Sequence, residues 1–220
     1  MKLIQIRHAQ SSWNLLEKVQ GNRNPRLSKI GILQAELLAK ALSKEKIDII
    51  YSSPLLRSLQ TAKIIAKFKK IPVYKNKALR EFMLGDWEGK TVDELNNKFS
   101  HLYDDWLRNP SRVQIPNAER FLVFKKRVLH FFNKVFLLSP NSSAAVVTHG
   151  GVIYVLLAHI LKLDFDDVFR IFRLDNTSIT KVDIENRSPY IWYINNTSHL
   201  SKIRSKDLKG LWQAKNRIRV

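Results

Sequence analysis

Two histidines stand at the ends of short apolar runs, His8 after Leu3–Ile6 and His149 after Ala144–Thr148. An imidazole at the C-terminal end of a strand can act as a nucleophile, on phosphorus among other centres, when it is unprotonated and its ring is fixed. The preceding Arg7 suits both conditions. A neighbouring cation disfavours imidazolium, and a guanidinium binds a phosphoryl group through paired N–H donors. Asn14 and the backbone amides after His8 add further donors. His149, in protonated form, can donate to a phosphoryl oxygen as charge builds up, and Gly150-Gly151 behind it let backbone approach a ligand. Each feature alone reads better as a structural or surface residue.

Two further segments carry groups of the same chemistry. In Ser53-Pro54-Leu55-Leu56-Arg57 the proline opens a helix, so Arg57 falls about one turn in, beside the C-terminal edge of the preceding strand. The alternative for Arg57 is an exposed helix arginine. Glu81 lies where the core pattern gives way to a helical segment, a position where a carboxyl group can be shielded and kept protonated, ready to give its proton to a leaving oxygen. Asp86 and Glu88 compete for that role, although flanking glycines place them in turns; Glu81 can also simply pair with Arg80 or a lysine. His101, His130, His159 and His199 fall in helical or irregular contexts and receive no role.

The elements that must position these groups alternate. Strands are expected at Leu3–Ile6, Asp48–Tyr51, Ile71–Tyr74 and Ala144–Thr148. Helices are expected after Ser28 as N-cap, from Pro54 through Ala66, and over Gly151–Leu161. Such alternation implies an α/β fold, a three-layer α/β/α sandwich around a mostly parallel sheet. Residues 82–142 break the pattern with helices at Val92–Phe99, His101–Leu107 and Arg120–Leu138, read as a helical insert over the active site. Ser178–Asp183 and Tyr190–Ile194 around a turn at Glu185–Pro189 suggest a closing hairpin. The whole of 1–220 reads as a single domain with a basic tail at 201–220.

Composition narrows the classes. The 220 residues, 45% hydrophobic, can bury one sizeable core. The absence of cysteine excludes disulfides, thiolate nucleophiles and Cys-ligated metal. The longest apolar run, Val152–Leu161, is too short to span a bilayer, and MKLIQIRHAQ lacks the apolar region of a signal peptide, so a cytoplasmic protein is expected. Against this ordinary background, 38 Lys+Arg face 19 Asp+Glu, a formal net charge of +19 that favours acidic partners.

The segments RHAQSSWN, GNRNPRLSKIGILQA, SSPLLRSLQTA, LREFMLGDWEGKT and VVTHGG, in this order, resemble the histidine phosphatase superfamily, which includes the cofactor-dependent phosphoglycerate mutases and many phosphatases. The likeness covers roughly residues 1–160. It implies His8 as the residue that takes the phosphoryl group and Glu81 as proton donor and then base. Arg7, Arg57 and His149 would hold the phosphoryl oxygens, helped by Asn14 and the backbone around Gly21 and Gly150. It implies neither metal nor cofactor, since the cationic donors replace a divalent ion. Three departures stand out. Ala9 replaces the usual Gly, adding a methyl that can restrict the substrate's approach; Gln10 replaces a frequent Glu, making the mouth less acidic; and Asn24 and Arg26 replace Asp and Pro, with Arg26 a further candidate contact.

The compact LGDWEGKT segment is more like the broad-specificity and ribazole phosphatases than the mutases. Hydrolysis of a small phosphorylated metabolite is therefore expected, with a phosphoglycerate mutase as the alternative. A different class of reading is a basic protein binding nucleic acid or an anionic membrane through its electrostatics, on an inactive phosphatase core. The net charge of +19 and the basic tail motivate it, whereas the eight basic residues from Arg57 to Arg80 read as a solvated face that can steer anionic substrates to the site. The sequence says nothing of oligomeric state.

Overall fold

A computed structural model describes residues 1–186, 188–201 and 203. In chain order the elements are β1 (Lys2–Arg7), α1 (Ser12–Leu15), α2 (Lys29–Ala41), β2 (Ile49–Ser52), α3 (Leu56–Lys69), β3 (Val73–Lys75), α4 (Val92–Arg108), α5 (Phe121–Phe136), β4 (Ser143–Thr148), α6 (Gly150–Leu161), α7 (Phe165–Ile171), β5 (Ile179–Glu185) and β6 (Ser188–Asn196). The six strands form one sheet in the order β3-β2-β4-β1-β5-β6. β3, β2, β4 and β1 are mutually parallel; β5 and β6 are antiparallel, the hairpin read from the sequence.

Alternation along the central strands divides the core into two layers. Leu3, Ala144 and Val146 face α5 and α6, joining Phe124, Val128, Phe132, Val152 and Leu156. Ile4, Ile6, Ala145 and Val147 face the opposite way, against Leu38 and Leu42 and against Ala62 and Ile65 of α3. The sandwich is thus three layers deep, as the alternating pattern implied. α2 starts where expected, its Gly31 N–H donating to the side chain of the N-cap Ser28.

Three details differ from the sequence reading. α5, assigned there to the insert, places Phe124, Val128, Phe131, Phe132 and Val135 in the main core, so it is a layer of the sandwich. An amphipathic stripe reveals that a helix buries one face, not which surface it buries it against. The two helices expected at 92–107 are one, interrupted at Phe99 (φ −137°, ψ 30°). Two short helices, α1 and α7, were not anticipated.

α4 and α7 close over the outer side of α6. Trp87, Leu95, Tyr103 and Trp106 pack with Ile153, Tyr154 and Leu157 of α6 and with Val168 and Phe169 of α7. α6 therefore has apolar neighbours on both sides, which explains its near-continuous apolar run. Among the described residues no helix is long and apolar enough to cross a membrane. Most of the basic tail expected at 201–220 lies outside the described residues.

Candidate active site

Strand register brings the two histidines together. β1 and β4 are parallel neighbours with Arg7 opposite Thr148, so the next residue on each chain, His8 and His149, leaves the sheet at the same edge. Their rings meet edge to face with centroids 5.2 Å apart. Arg57 reaches the same place from the first turn of α3. Arg7, His8, Gly21, Arg57, Glu81 and Gly150 line one cavity of about 110 Å³ at the C-terminal ends of the parallel strands. Asn14 and His149 are buried and are not among the residues that line it.

The His8 ring is fixed at both nitrogens. Nδ1 donates to the Ala9 carbonyl at 2.7 Å, and Nε2 accepts from Arg57 Nε at 3.2 Å, which puts the ring's lone pair on Nε2. Burial first, then the Arg57 and Arg7 charges, hold this imidazole well below the usual histidine range. An imidazole held in this way is neutral and has the lone pair that a base or nucleophile needs. Arg57 is itself buried rather than exposed on its helix. Its terminal nitrogens donate to Gly21 O and Arg23 O, both at 2.8 Å, and burial lowers its pKa to about 10, leaving it charged. Arg7 donates to the Leu174 carbonyl, and its Nε has no partner among the described residues.

His149 corrects one expectation. It was read as a protonated donor, but burial, followed by Arg57, His8 and Arg7, holds it well below the usual range, so it is neutral. Its Nε2 lies 2.8 Å from Ser53 Oγ and 3.3 Å from Ser58 Oγ. With the Ser53 hydroxyl donating there, the proton sits on Nδ1, which has no partner among the described residues. A neutral imidazole in this tautomer still donates one hydrogen bond. Asn14, in α1, accepts from the Ser11 amide and hydroxyl through Oδ1, while its buried Nδ2 is likewise unpartnered.

Glu81 accepts from the Phe82 amide at 2.9 Å and from the Gly151 amide at 3.3 Å, rather than pairing with Arg80. A Cβ on Gly151 would come within 2.4 Å of Glu81 Oε1, so that glycine makes room for the carboxyl group. Both rival carboxylates are engaged elsewhere. Glu88 Oε1 accepts from Asn22 N and Leu84 N and Oε2 lies 3.5 Å from Arg23, tying two loops together. Asp86 is exposed and accepts from Asn117. Gly21, at φ +45° with Glu88 where a Cβ would be, turns its carbonyl to Arg57.

The three departures have other consequences than expected. The Ala9 methyl packs with Leu27 and Ala35 and takes no part in the cavity lining. Gln10 is fully buried and accepts from the Ser28 hydroxyl, so it does not alter the mouth. Asn24 accepts from the Leu56 amide and so holds the start of α3, whereas Arg26 is exposed and outside the lining.

Several supporting residues escaped the sequence reading. Asn176 Nδ2 donates to the His8 carbonyl, and the Thr177 amide donates to the Arg7 and His8 carbonyls from a left-handed backbone, φ +57°. Arg127 donates to the carbonyls of Ala78, Arg80 and Glu81 while pairing with Glu119. No local signal marks any of them, because each acts on a segment at least 46 residues away.

The family model of the histidine phosphatase superfamily (branch 1) matches residues 3–197. The chain is 35% identical over 202 residues to phosphoserine phosphatase 1 of Hydrogenobacter thermophilus, covering 92% of this chain and 95% of that one. Among solved structures, the phosphoserine phosphatase of Entamoeba histolytica, determined with phosphoserine and with 3-phosphoglyceric acid, superposes with a TM-score of 0.79 at 32% identity, covering 90% and 98% of the two chains. The alpha-ribazole phosphatase of Shigella flexneri superposes with a TM-score of 0.81 at 25% identity, covering 90% and 97%.

Proposed function

Because the chain belongs to the histidine phosphatase superfamily, we propose that it hydrolyses a small phosphomonoester through a phosphohistidine formed on His8. The observation that carries this reading is a neutral, doubly anchored imidazole beside two buried guanidinium groups. Arg7 and Arg57 neutralise the phosphoryl oxygens, with the free N–H of His149 Nδ1 and Asn14 Nδ2 and the backbone about Gly21 and Gly150 as further donors. Arg57 Nε turns from His8 to an oxygen as the ester enters.

His8 Nε2 then attacks phosphorus in line, forming a P–N bond as the P–O bond to the alcohol breaks. Glu81, across the cavity, gives its proton to the departing oxygen. After the alcohol leaves, the same carboxylate takes a proton from water, whose oxygen attacks phosphorus and releases inorganic phosphate and free His8. Charge neutralisation by the two arginines makes a divalent ion unnecessary in this scheme.

Phosphate release from p-nitrophenyl phosphate in the presence of EDTA tests the reading. Turnover is expected to persist with chelator, and His8→Ala to lose it; a His8→Ala protein of undiminished activity would sink the mechanism. Rapid quench of the native chain with labelled ester should trap acid-labile, alkali-stable phosphate on His8.

A further inference from the structure

One anchor of the His8 ring belongs to the main chain beside it. Nδ1 donates to the carbonyl of Ala9, the next residue, so the ring stays aimed only while the peptide between His8 and Ala9 keeps its own orientation. A peptide plane turns about the soft dihedrals that flank it. A turn of this one would carry the Ala9 carbonyl off Nδ1 and swing Nε2 away from Arg57.

Both ends of that peptide are bound. At the carbonyl end, His8 O accepts from Asn176 Nδ2 at 2.9 Å and from the Thr177 amide at 3.3 Å. At the amide end, Ala9 N donates to Thr61 Oγ1 at 3.1 Å. His8, Ala9, Thr61, Asn176 and Thr177 are all buried, so a lost partner is not replaced cheaply by water.

Each end is tied to a different part of the site. Thr61 lies one turn after Arg57 on α3, and its hydroxyl proton goes to the Arg57 carbonyl at 2.7 Å, which leaves a lone pair for Ala9. α3 therefore carries the arginine and also grips the main chain of the histidine. On the other side, Thr177 is a β-branched residue in the left-handed region, φ +57°, a conformation that persists only where the surroundings over-determine it. It directs the Thr177 amide at the Arg7 and His8 carbonyls. The same short segment takes the Arg7 amide on Ser178 O at 3.2 Å and the Arg7 guanidinium on Leu174 O.

Building on the phosphatase reading, we propose that Thr61 and Asn176 are positioning residues for phosphoryl transfer, aiming His8 Nε2 at phosphorus by clamping the His8–Ala9 peptide at its two ends. Neither lines the cavity, so their effect reaches the ester only through the ring. Loss of the clamp then slows attack on phosphorus and leaves phosphoryl binding by Arg7 and Arg57 as it was.

The test uses the full chain and three variants. Thr61→Val keeps the shape of the side chain without its hydroxyl, and Thr61→Ser keeps the hydroxyl. Asn176→Ala removes the donor at the other end and serves in its own right where Thr61→Val does not fold. With p-nitrophenyl phosphate labelled in its phosphoryl group, the maximal rate of phosphohistidine formation in rapid quench is expected to fall by about 10- to 100-fold in Thr61→Val and Asn176→Ala, the scale of a misplaced reacting group, and to recover mostly in Thr61→Ser. Competitive inhibition by inorganic phosphate is expected to keep its native constant. Turnover of an alkyl phosphate is expected to fall by the same factor as that of the aryl ester, because one nucleophile serves both. In nitrogen–proton correlation spectra of the imidazoles, the native chain should show His8 as a single Nδ1-protonated tautomer, and Thr61→Val and Asn176→Ala a mixture.

An undiminished rate in folded Thr61→Val or Asn176→Ala, or a His8 spectrum unchanged from the native one, would overturn the proposal while native turnover leaves the phosphatase reading intact. Phosphate inhibition weakened in step with the rate would also overturn it, since the two residues would then support the arginines. So would an equal loss in Thr61→Ser, where packing and not the hydroxyl would be acting. No phosphate release from the native chain would remove the phosphatase reading itself and this proposal with it.

Discussion

At the scale of single residues, the site depends on where each proton lies. His8 and His149 are neutral because burial and two arginines make a third and fourth positive charge costly. Both rings carry the proton on Nδ1. His8 spends that N–H on the Ala9 carbonyl and keeps its lone pair on Nε2, whereas His149 has Nε2 against Ser53 and Nδ1 without a partner among the described residues. One side chain in one tautomer thus gives a candidate nucleophile at one position and a candidate donor at the other. Glu81 is placed by subtraction, since only a residue without Cβ leaves room for its carboxyl group above the start of α6. Gly151→Ala should therefore push the carboxyl group aside while leaving His8 and the arginines in place. Turnover of alkyl phosphates, whose alcohols need a proton to depart, is expected to fall by about 10- to 100-fold, and that of p-nitrophenyl phosphate far less. Equal slowing of both ester types would show that Glu81 does not act as the acid.

At the scale of elements, β1, β4 and α3 each carry their group in a contiguous motif. The strand ends before His8 and His149 and the proline-opened helix before Arg57 were therefore legible in the sequence. The supports were not. α1 is a single turn closed by Ser11 and Asn14, and the seven-residue α7 starts from Asp164 as N-cap, so neither shows a periodic stripe. Asn176, Thr177 and Arg127 act across the fold, where only tertiary structure sets their partners. Arg127 bears most directly on the placement of Glu81, because α5 uses it to grip the segment from Ala78 to Glu81 by three carbonyls. Arg127→Met would leave those carbonyls and the Glu119 carboxylate without their donor. A loss of about 2–4 kcal/mol is expected from the urea midpoint, together with slower turnover of alkyl phosphates than of aryl ones. Lost stability with an unchanged alkyl-to-aryl ratio would confine Arg127 to a structural part.

At the scale of the whole molecule, two electrostatic effects act in the same direction as pH falls, and they can be separated. The net charge of +19 grows more positive as carboxylates protonate, and the lysines of α3 such as Lys63 and Lys67 stand on its solvent face, so self-repulsion rises. Independently, three histidines titrate below their usual 6.5: the buried His8 and His149 well below it, and the half-buried His199, beside Thr177, at about 4. In the unfolded chain all three take up protons near 6.5, whereas the folded chain resists until lower pH. Between those limits the unfolded state binds more protons, so stability must drop as pH falls below 6.5 and level off above it. The melting temperature is expected to be flat from pH 8 to 7 and to fall steadily from pH 6.5 to 5. Added salt screens repulsion between exposed charges beyond about 10 Å at 0.1 M but barely touches the desolvation of buried imidazoles. The slope should therefore persist in sodium chloride and diminish in His199→Gln, which keeps a polar partner for Thr177 but cannot take up a proton. A slope abolished by salt and unaltered in His199→Gln would assign acid sensitivity to the surface charge alone.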